Sequence, residues 1–314
     1  MRRIVAEPAL SPVAFSPDGR RIAFSTERRV RVADLSGASR EIAPAGVVTG
    51  LSWSLRLNLL AVIDSGAVWT MRDDGSERTR VALPGFALQA AWAPGSDRLA
   101  VVIRRTLEGT QRFELWLANR DGGFKRLVTR APAGRAIREL QWSADSLYLF
   151  YGLSAPADRL LRQAWRVRIA YPDLRELPID TPAVALALAP SEERMAYLTG
   201  PDPSNGRGHI VVSRLDGTGK FAITPSAGRY TGLAWSPQGD KLAYAEVLDE
   251  ANMEIWVADA DGSGRLQVFS YPLELPDPGI ALSITWSPLG QHVIFGTNTG
   301  SSTGPIWLVT LQKR

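Results

Sequence analysis

The stretch WSPQGDKLAY at residues 235–244 decides the fold, because close variants of it recur along the whole chain. Each variant has an apolar segment, a polar turn and a second apolar segment, as in FSPDGRRIAF (15–24), WAPGSDRLAV (92–101) and WSPLGQHVIF (286–295). Aromatic and β-branched residues flanking Pro, Asp and Gly are typical of two strands joined by a tight turn. The recurring unit is therefore predicted to be a β-hairpin.

The hairpin is the first half of a longer repeat. Each unit continues with a third apolar strand, such as EIWVAD (254–259), a second Asp-Gly turn, and a fourth strand, such as KRLVT (125–129). The first strands end 38 to 51 residues apart, at Phe15, Trp53, Trp92, Trp142, Leu188, Trp235 and Trp286. Four strands in a unit of about 40–50 residues are typical of a propeller blade, and a sustained helical period is missing.

We therefore predict an all-β, seven-bladed β-propeller with four antiparallel strands per blade. The whole chain, residues 1–314, is expected to form one domain. Its blades are predicted to begin near residues 12, 50, 89, 139, 185, 232 and 283.

The ends of the chain complement each other. The last unit has three strands and ends at Arg314, whereas RRIVA (2–6) precedes the first unit and resembles a fourth strand. The residues after Trp286 and those up to Phe15 together number 43, which is the length of one repeat. Residues 2–6 are therefore predicted to complete the last blade and to cover its open edge.

All ten tryptophans follow the repeat. Five end first strands and five lie in third strands, the latter being Trp69, Trp116, Trp165, Trp256 and Trp307. A stacking surface for bases or sugars is one interpretation. Packing between blades is the preferred one, because the repeat alone predicts every position.

Composition excludes several classes of function. The chain has no cysteine, which rules out disulfides, thiolate metal sites and a cysteine nucleophile. The start MRRIVAEPALS lacks the apolar segment of about 7–15 residues that a signal peptide needs, and no stretch reaches the roughly 18 apolar residues of a membrane span. The compartment is left open. An extracytoplasmic or periplasmic location is expected if the chain is a domain cut from a secreted or lipid-anchored protein.

One face of the propeller is expected to carry the binding site. Turns after first and third strands share one face and are short, whereas loops after second strands share the other face and vary widely, as in RRTLEGTQR (104–112) and LSAPADRLLRQ (153–163). Variable loops on a rigid scaffold are where binding usually occurs. Residues 104–168 carry 13 basic and 6 acidic side chains, and residues 240–314 carry 4 basic and 9 acidic ones. The electrostatic field at the surface should therefore be positive on one side of the ring and negative on the other. The predicted binding residues are Arg104, Arg105, Arg112, Arg135, Arg138, Arg159, Arg162, Asp249, Glu250 and Glu274.

The pattern W-S-P-D-G, I-A-F, I-W-V-A-D, D-G and L-T resembles the TolB-type, WD40-like (PD40) β-propeller repeats of bacteria. The resemblance covers nearly the whole chain and is strongest in FSPDGRRIAFS, WSPQGDKLAYAE and WSPLGQHVIFG. TolB has a six-bladed propeller behind a separate N-terminal domain, whereas this chain has seven repeats. Similar seven-bladed propellers occur in bacterial lipoproteins and before the hydrolase domain of prolyl-oligopeptidase-like enzymes. The resemblance implies protein–protein interaction, often at the cell envelope, and it transfers no catalytic residue.

Motifs with chemistry of their own are weak. GSSTG (300–304) matches a nucleophile pattern but lacks the strand-to-helix setting, and His209 and His292 are far apart. DADGSG (259–264) and GTGK (217–220) are read as blade turns rather than calcium or phosphate loops. The alternating arginines of the fourth unit are read as a solvated strand face, and nucleic acid is not predicted as a partner.

The sequence favours a non-enzymatic scaffold that binds a protein partner, with a cell-wall or glycan ligand as the other ligand class. No cofactor or metal is predicted. The alternatives are a hydrolase or lyase with its site at the mouth of the central channel, and the propeller portion of a larger enzyme or receptor.

Overall fold

The computed structural model describes the chain except residues 1, 27, 45, 158–159, 171–172, 178, 180–182, 192, 201–206, 250–251, 273–280, 299–302 and 312–314. The described residues form 27 strands and no α-helix. The strands are arranged as seven blades of four antiparallel strands in a ring. The predicted seven-bladed β-propeller is therefore confirmed.

Blade 1 consists of β1 (Arg2–Phe15), β2 (Arg21–Thr26), β3 (Arg29–Asp34) and β4 (Ser39–Pro44). Blade 2 consists of β5 (Val48–Trp53), β6 (Leu59–Asp64), β7 (Ala67–Arg72) and β8 (Thr79–Val81). Blade 3 consists of β9 (Phe86–Trp92), β10 (Arg98–Leu107), β11 (Thr110–Asn119) and β12 (Lys125–Arg130). Blade 4 consists of β13 (Ala136–Trp142), β14 (Tyr148–Ser154), β15 (Gln163–Arg168) and β16 (Leu174–Leu177).

Blade 5 consists of β17 (Ala183–Leu188), β18 (Arg194–Thr199), β19 (Ile210–Arg214) and β20 (Phe221–Ala222). Blade 6 consists of β21 (Arg229–Trp235), β22 (Lys241–Val247), β23 (Asn252–Asp259) and β24 (Leu266–Pro272). Blade 7 consists of β25 (Ala281–Trp286), β26 (His292–Asn298) and β27 (Thr303–Thr310), and β1 supplies its fourth strand.

Strand β1 closes the ring. Its first residues pair with β27, with Arg2 opposite Leu308 and Val5 opposite Ile306, and its last residue, Phe15, pairs with β2. Ile4 and Val5 are buried in the core of this junction. The prediction that residues 2–6 complete the last blade is confirmed. The sequence did not predict that the segment continues as one strand to Phe15, so that blades 7 and 1 share it.

The serine of the Trp-Ser-Pro step closes the turn between the first two strands. The Ser16 hydroxyl accepts a hydrogen bond from the Arg21 backbone N–H at 2.9 Å, and Ser143, Ser236 and Ser287 accept the equivalent bond in their blades. All four serines are buried. A buried hydroxyl with partners stabilises the turn, whereas one without partners would destabilise it.

The first-strand tryptophans join successive blades. In three of the five, the indole N–H donates to a backbone carbonyl of the preceding blade, from Trp142 to Ala91 at 2.9 Å, from Trp235 to Ala187 at 3.1 Å and from Trp286 to Ala234 at 3.1 Å, whereas the Trp53 indole donates to Asn58 of its own blade. The third-strand tryptophans with described side chains are half-buried, and Arg78 and Arg265 cover two of them, at 4.3 Å from the Trp69 ring and 3.6 Å from the Trp256 ring. The tryptophans therefore belong to the inter-blade packing.

Candidate functional site

Blade 3 carries a hairpin that projects from the face formed by the loops after the second strands. We call this face the long-loop face. Strand β10 pairs with β9 only as far as Arg104, and β11 pairs with β12 only as far as Glu114. Among the described strands, β10 and β11 pair only with each other beyond these residues, although the Phe113 carbonyl still accepts a hydrogen bond from the Ala131 N–H at 2.9 Å. We call residues 105–112 the hairpin arm. The sequence suggested a variable loop here, whereas the structure has two strands and a two-residue turn.

The turn of the hairpin arm consists of Glu108 and Gly109, which both have positive φ angles, 50° and 74°. Two consecutive residues in this region form the turn that matches the twist of a two-residue hairpin. The pairs before it, Leu107 with Thr110 and Thr106 with Gln111, are in regular register. The Glu-Gly pair is the sequence feature from which this hairpin could have been predicted.

A buried carboxylate holds the base of the hairpin arm. Glu114 on β11 is fully buried; its side chain accepts hydrogen bonds from the Trp116 indole at 2.8 Å and from Arg130 on β12 at 3.1 Å, and lies 3.5 Å from Arg105 on β10. Burial raises the pKa of Glu114, but the bonds from Trp116 and Arg130 and the charge of Arg105 outweigh burial and hold that pKa below its usual value. Glu114 therefore stays ionised and ties three strands together.

Arginines surround this carboxylate in excess. Arg112 lies opposite Arg105 and two residues before Glu114 on β11, so it shares a sheet face with both. Three guanidinium groups, those of Arg105, Arg112 and Arg130, therefore share one face around one carboxylate. The stem of Arg105 passes over Gly85, where an added Cβ would lie 2.5 Å from the arginine Cγ.

Apolar groups lie beside these charges. The Arg104 guanidinium is 5.2 Å from the centre of the Phe86 ring, which is 41% exposed, and Leu107 near the tip of the arm is 39% exposed. The Phe86 ring packs on Gly66 of blade 2, where a Cβ would lie 2.2 Å from it. The surface at blade 3 therefore combines positive charge with exposed apolar side chains.

The other predicted binding residues are spread over the same face. In blade 4, Arg138 donates to the Pro156 carbonyl at 3.1 Å, Arg135 lies in the turn before β13, and Arg162 is exposed. Asp249 of blade 6 accepts two hydrogen bonds from the Asn252 amide, each at 3.0 Å. Arg159, Glu250 and Glu274 lie outside the described residues. The structure thus groups Arg104, Arg105 and Arg112 and adds Glu114, Arg130 and Phe86, which the sequence did not single out.

Several other segments on this face are attached to the next blade. The Gly66 carbonyl of blade 2 accepts from Ala87 of blade 3 at 2.9 Å, and Gly208 of blade 5 exchanges two backbone bonds with Gly228. In blade 4, Leu161 bridges to Ala183 and is fully buried over Gly152. The segment 153–163 is therefore anchored at Leu161, whereas the hairpin arm extends past its blade.

The weak motifs have structural explanations where they are described. The turns at Asp216 and Asp261 are closed by their own carboxylates, which accept bonds from Thr218 and Ser263. The His209 ring lies 3.2 Å from the Thr224 hydroxyl, and the His292 ring lies 3.2 Å from the Thr310 hydroxyl. Within the described part of the chain, no group of three or more histidine, aspartate or glutamate residues is placed to hold a metal ion.

Comparison with known proteins shows the fold but not a family. No protein-family model and no curated protein matches the chain. Solved structures do match: oligogalacturonate lyase from Vibrio parahaemolyticus has a TM-score of 0.71 at 9% identity, over 98% of this chain and 91% of that one. The Cps50 (Swd1) β-propeller domain from Myceliophteria thermophila has a TM-score of 0.66 at 14% identity, over 98% of both chains.

TolB from Acinetobacter baumannii also matches, with a TM-score of 0.54 at 13% identity, over 85% of this chain and 64% of that one. These neighbours include one enzyme and two other propellers, so at such low identity the likeness establishes the propeller architecture alone. Among the described residues, no helix has the length and apolar character needed to cross a membrane.

Proposed function

We propose that this protein is a non-enzymatic binding propeller that engages a protein partner through its long-loop face, with the hairpin arm as the main contact. The observation that carries this proposal is the arm itself, which extends past its blade with paired strands and an excess of arginine. A rigid projection loses little conformational entropy when a partner binds, which favours affinity.

The surroundings of the arm support the same proposal. Arginine and large aromatic residues are enriched at the centres of protein interfaces. Here Arg104 and Phe86 lie next to the arm, and Leu107 is exposed near its tip. A location at the cell envelope belongs to the same proposal and is supported by the resemblance to TolB-type repeats.

The test shortens the arm without changing the blade. Residues 106–111 are replaced by Asn-Gly, which keeps the pair Arg105–Arg112 next to a two-residue turn. Partners crosslinked to the full chain in the cells that express it are compared with those crosslinked to the shortened chain. Phe124→Ala is the control, because Phe124 is 40% exposed in the short turn between β11 and β12, on the opposite face.

We expect the shortened chain to lose its partner and Phe124→Ala to retain it. Retention by the shortened chain would contradict the proposal. Turnover of a substrate by the purified chain, abolished by substitutions at the channel mouth, would instead favour the hydrolase or lyase alternative.

A further inference from the structure

We infer that the hairpin arm binds an acidic peptide segment, which pairs with an edge of the arm as an added strand and places its carboxylates on Arg105 and Arg112. This inference rests on the proposed function and names the chemistry of the partner. It is carried by two properties of the arm, its unpaired strand edges and its unbalanced charge.

The strand edges follow from the register. Leu107 and Thr110 flank the two-residue turn, so they form a hydrogen-bonded pair, and the pair Thr106–Gln111 next to them is non-hydrogen-bonded. The backbone N–H and C=O groups of Thr106 and Gln111 therefore point away from the hairpin. The Ala131 N–H donates a hydrogen bond to the Phe113 carbonyl at 2.9 Å, so the backbone of Phe113 points outwards. Phe113 lies two residues after Gln111, so this bond supports the same outward orientation for Gln111.

Outward backbone groups on an edge are a template for another strand. Among the described strands, β9 stops pairing with β10 at Arg104, and β12 stops pairing with β11 at Glu114. An extended peptide that adds to such an edge gains main-chain hydrogen bonds, while its alternate side chains provide specificity. The arm therefore fits a peptide in an extended conformation.

The charge of the arm indicates which side chains that peptide carries. Arg105 and Arg112 are directly opposite each other, and like charges in this position repel. Glu114 lies on Arg105 and Arg130, and among the described residues Arg112 has no ion-pair partner. Carboxylates from a ligand would relieve the repulsion and form charge-assisted hydrogen bonds with guanidinium groups.

A polyanionic saccharide would satisfy the charge but not the edges. It has no backbone N–H and C=O at the spacing of a strand, so Thr106 and Gln111 would gain no ladder bonds from it. Charged residues on an edge also discourage unwanted strand pairing. The experiment is designed to separate peptide recognition from this purely protective role.

The probe is a fluorescent peptide of about eight residues that alternates Glu and Val, so that all its carboxylates lie on one face of the strand. Its affinity for the full chain is measured by fluorescence anisotropy. The comparison ligands are the same peptide with Gln in place of Glu and an oligogalacturonate of equal charge. We expect both to bind at least about tenfold more weakly, and we expect binding of the Glu peptide to weaken as salt is raised.

The variants separate charge from strand addition. Arg112→Gln should weaken binding of the Glu peptide about tenfold, because a charge-assisted bond is lost. Arg168→Gln is the matched control, since Arg168 is exposed at the opposite end of a third strand and should leave binding unchanged. Thr106→Pro and Gln111→Pro each remove one outward N–H and leave the internal hairpin bonds intact, so one of them should abolish binding.

Circular dichroism and the melting temperature of each variant show whether the propeller is intact. Equal affinity for the Glu peptide, the Gln peptide and the oligogalacturonate would overturn the inference, and so would unchanged binding in both proline variants. If the Glu peptide fails to bind but the shortened arm still loses the crosslinked partner, the acidic-peptide inference is wrong and the proposed function stands. Failure of the Glu peptide to bind, together with retention of the crosslinked partner by the shortened chain, would count against both.

Discussion

Gln141 replaces the tryptophan contact that is missing between blades 4 and 5. Blade 5 has Leu188 where most blades have Trp, so it cannot donate an indole N–H to blade 4. Instead, the Gln141 side chain of blade 4 donates to the Leu186 carbonyl at 2.6 Å and accepts from the Leu188 N–H at 2.9 Å. The residue before the first-strand aromatic is small in the other six blades. The exception therefore has a physical reason, which is to reconnect two blades.

At this scale we predict that Gln141→Ala lowers the free energy of unfolding by about 1–3 kcal/mol, because two bonds to partly buried backbone groups are lost. Adding Leu188→Trp to that variant should recover part of the loss, since the new indole can donate to the carbonyl of residue 141. Chemical denaturation of both single variants and the double variant measures the coupling. Strict additivity in this cycle would show that the two positions do not substitute for each other.

Glu114 determines how β10, β11 and β12 meet at the base of the hairpin arm. It accepts from residues on two of these strands and lies against an arginine of the third, so the orientation of the arm depends on one ionised carboxylate. A group whose folded-state pKa is depressed stabilises the fold above its unfolded pKa, and this contribution is lost as the pH falls through the folded pKa. The pKa of Glu114 is lowered in the folded state. Its contribution to stability should therefore start to decline when the pH reaches the ordinary glutamate pKa of about 4.3, and decline further below it.

Glu114→Gln should therefore destabilise the propeller by about 1–3 kcal/mol at neutral pH and make its stability less dependent on pH below about 4.3. Hydrogen exchange should also become faster in residues 105–112. Denaturation across the acidic range, compared between the variant and the natural chain, measures the first effect. An identical acid dependence in the two chains would mean that Glu114 is not the group that titrates.

The whole ring depends on β1, which belongs to two blades. Because Ile4 and Val5 are buried against the last blade while Phe15 is buried in the first, the two ends of the chain are packed into one junction. Closure also gives the last blade its fourth strand, because β1 pairs with β27 and covers the edge that β27 would otherwise expose to other chains. Stability should therefore be more sensitive at this junction than at an ordinary fourth strand.

We predict that Ile4→Ala lowers the free energy of unfolding by about 2–4 kcal/mol, since it opens a cavity in a packed junction. Phe221→Ala is the matched comparison on the fourth strand of blade 5, where the side chain is 37% exposed, and it should cost less than about 1 kcal/mol. Thermal and urea denaturation of the two variants measures the difference. Equal losses would show that closure by β1 is not a special source of stability.

The amino-acid sequence alone determined the number of blades, the core tryptophans and the closing role of residues 2–6. These features depend on local patterns, strand periodicity and turn residues, that repeat with nearly constant spacing. The tertiary structure alone showed that residues 104–112 form a paired hairpin, that Leu161 anchors the segment 153–163, and that Glu114 joins three strands. Such features depend on register and on partners distant in the chain, such as Arg130 for Glu114 and Leu188 for Gln141. A single sequence does not encode these contacts as a local pattern, because burial and charge pairing arise only when the blades are folded and packed.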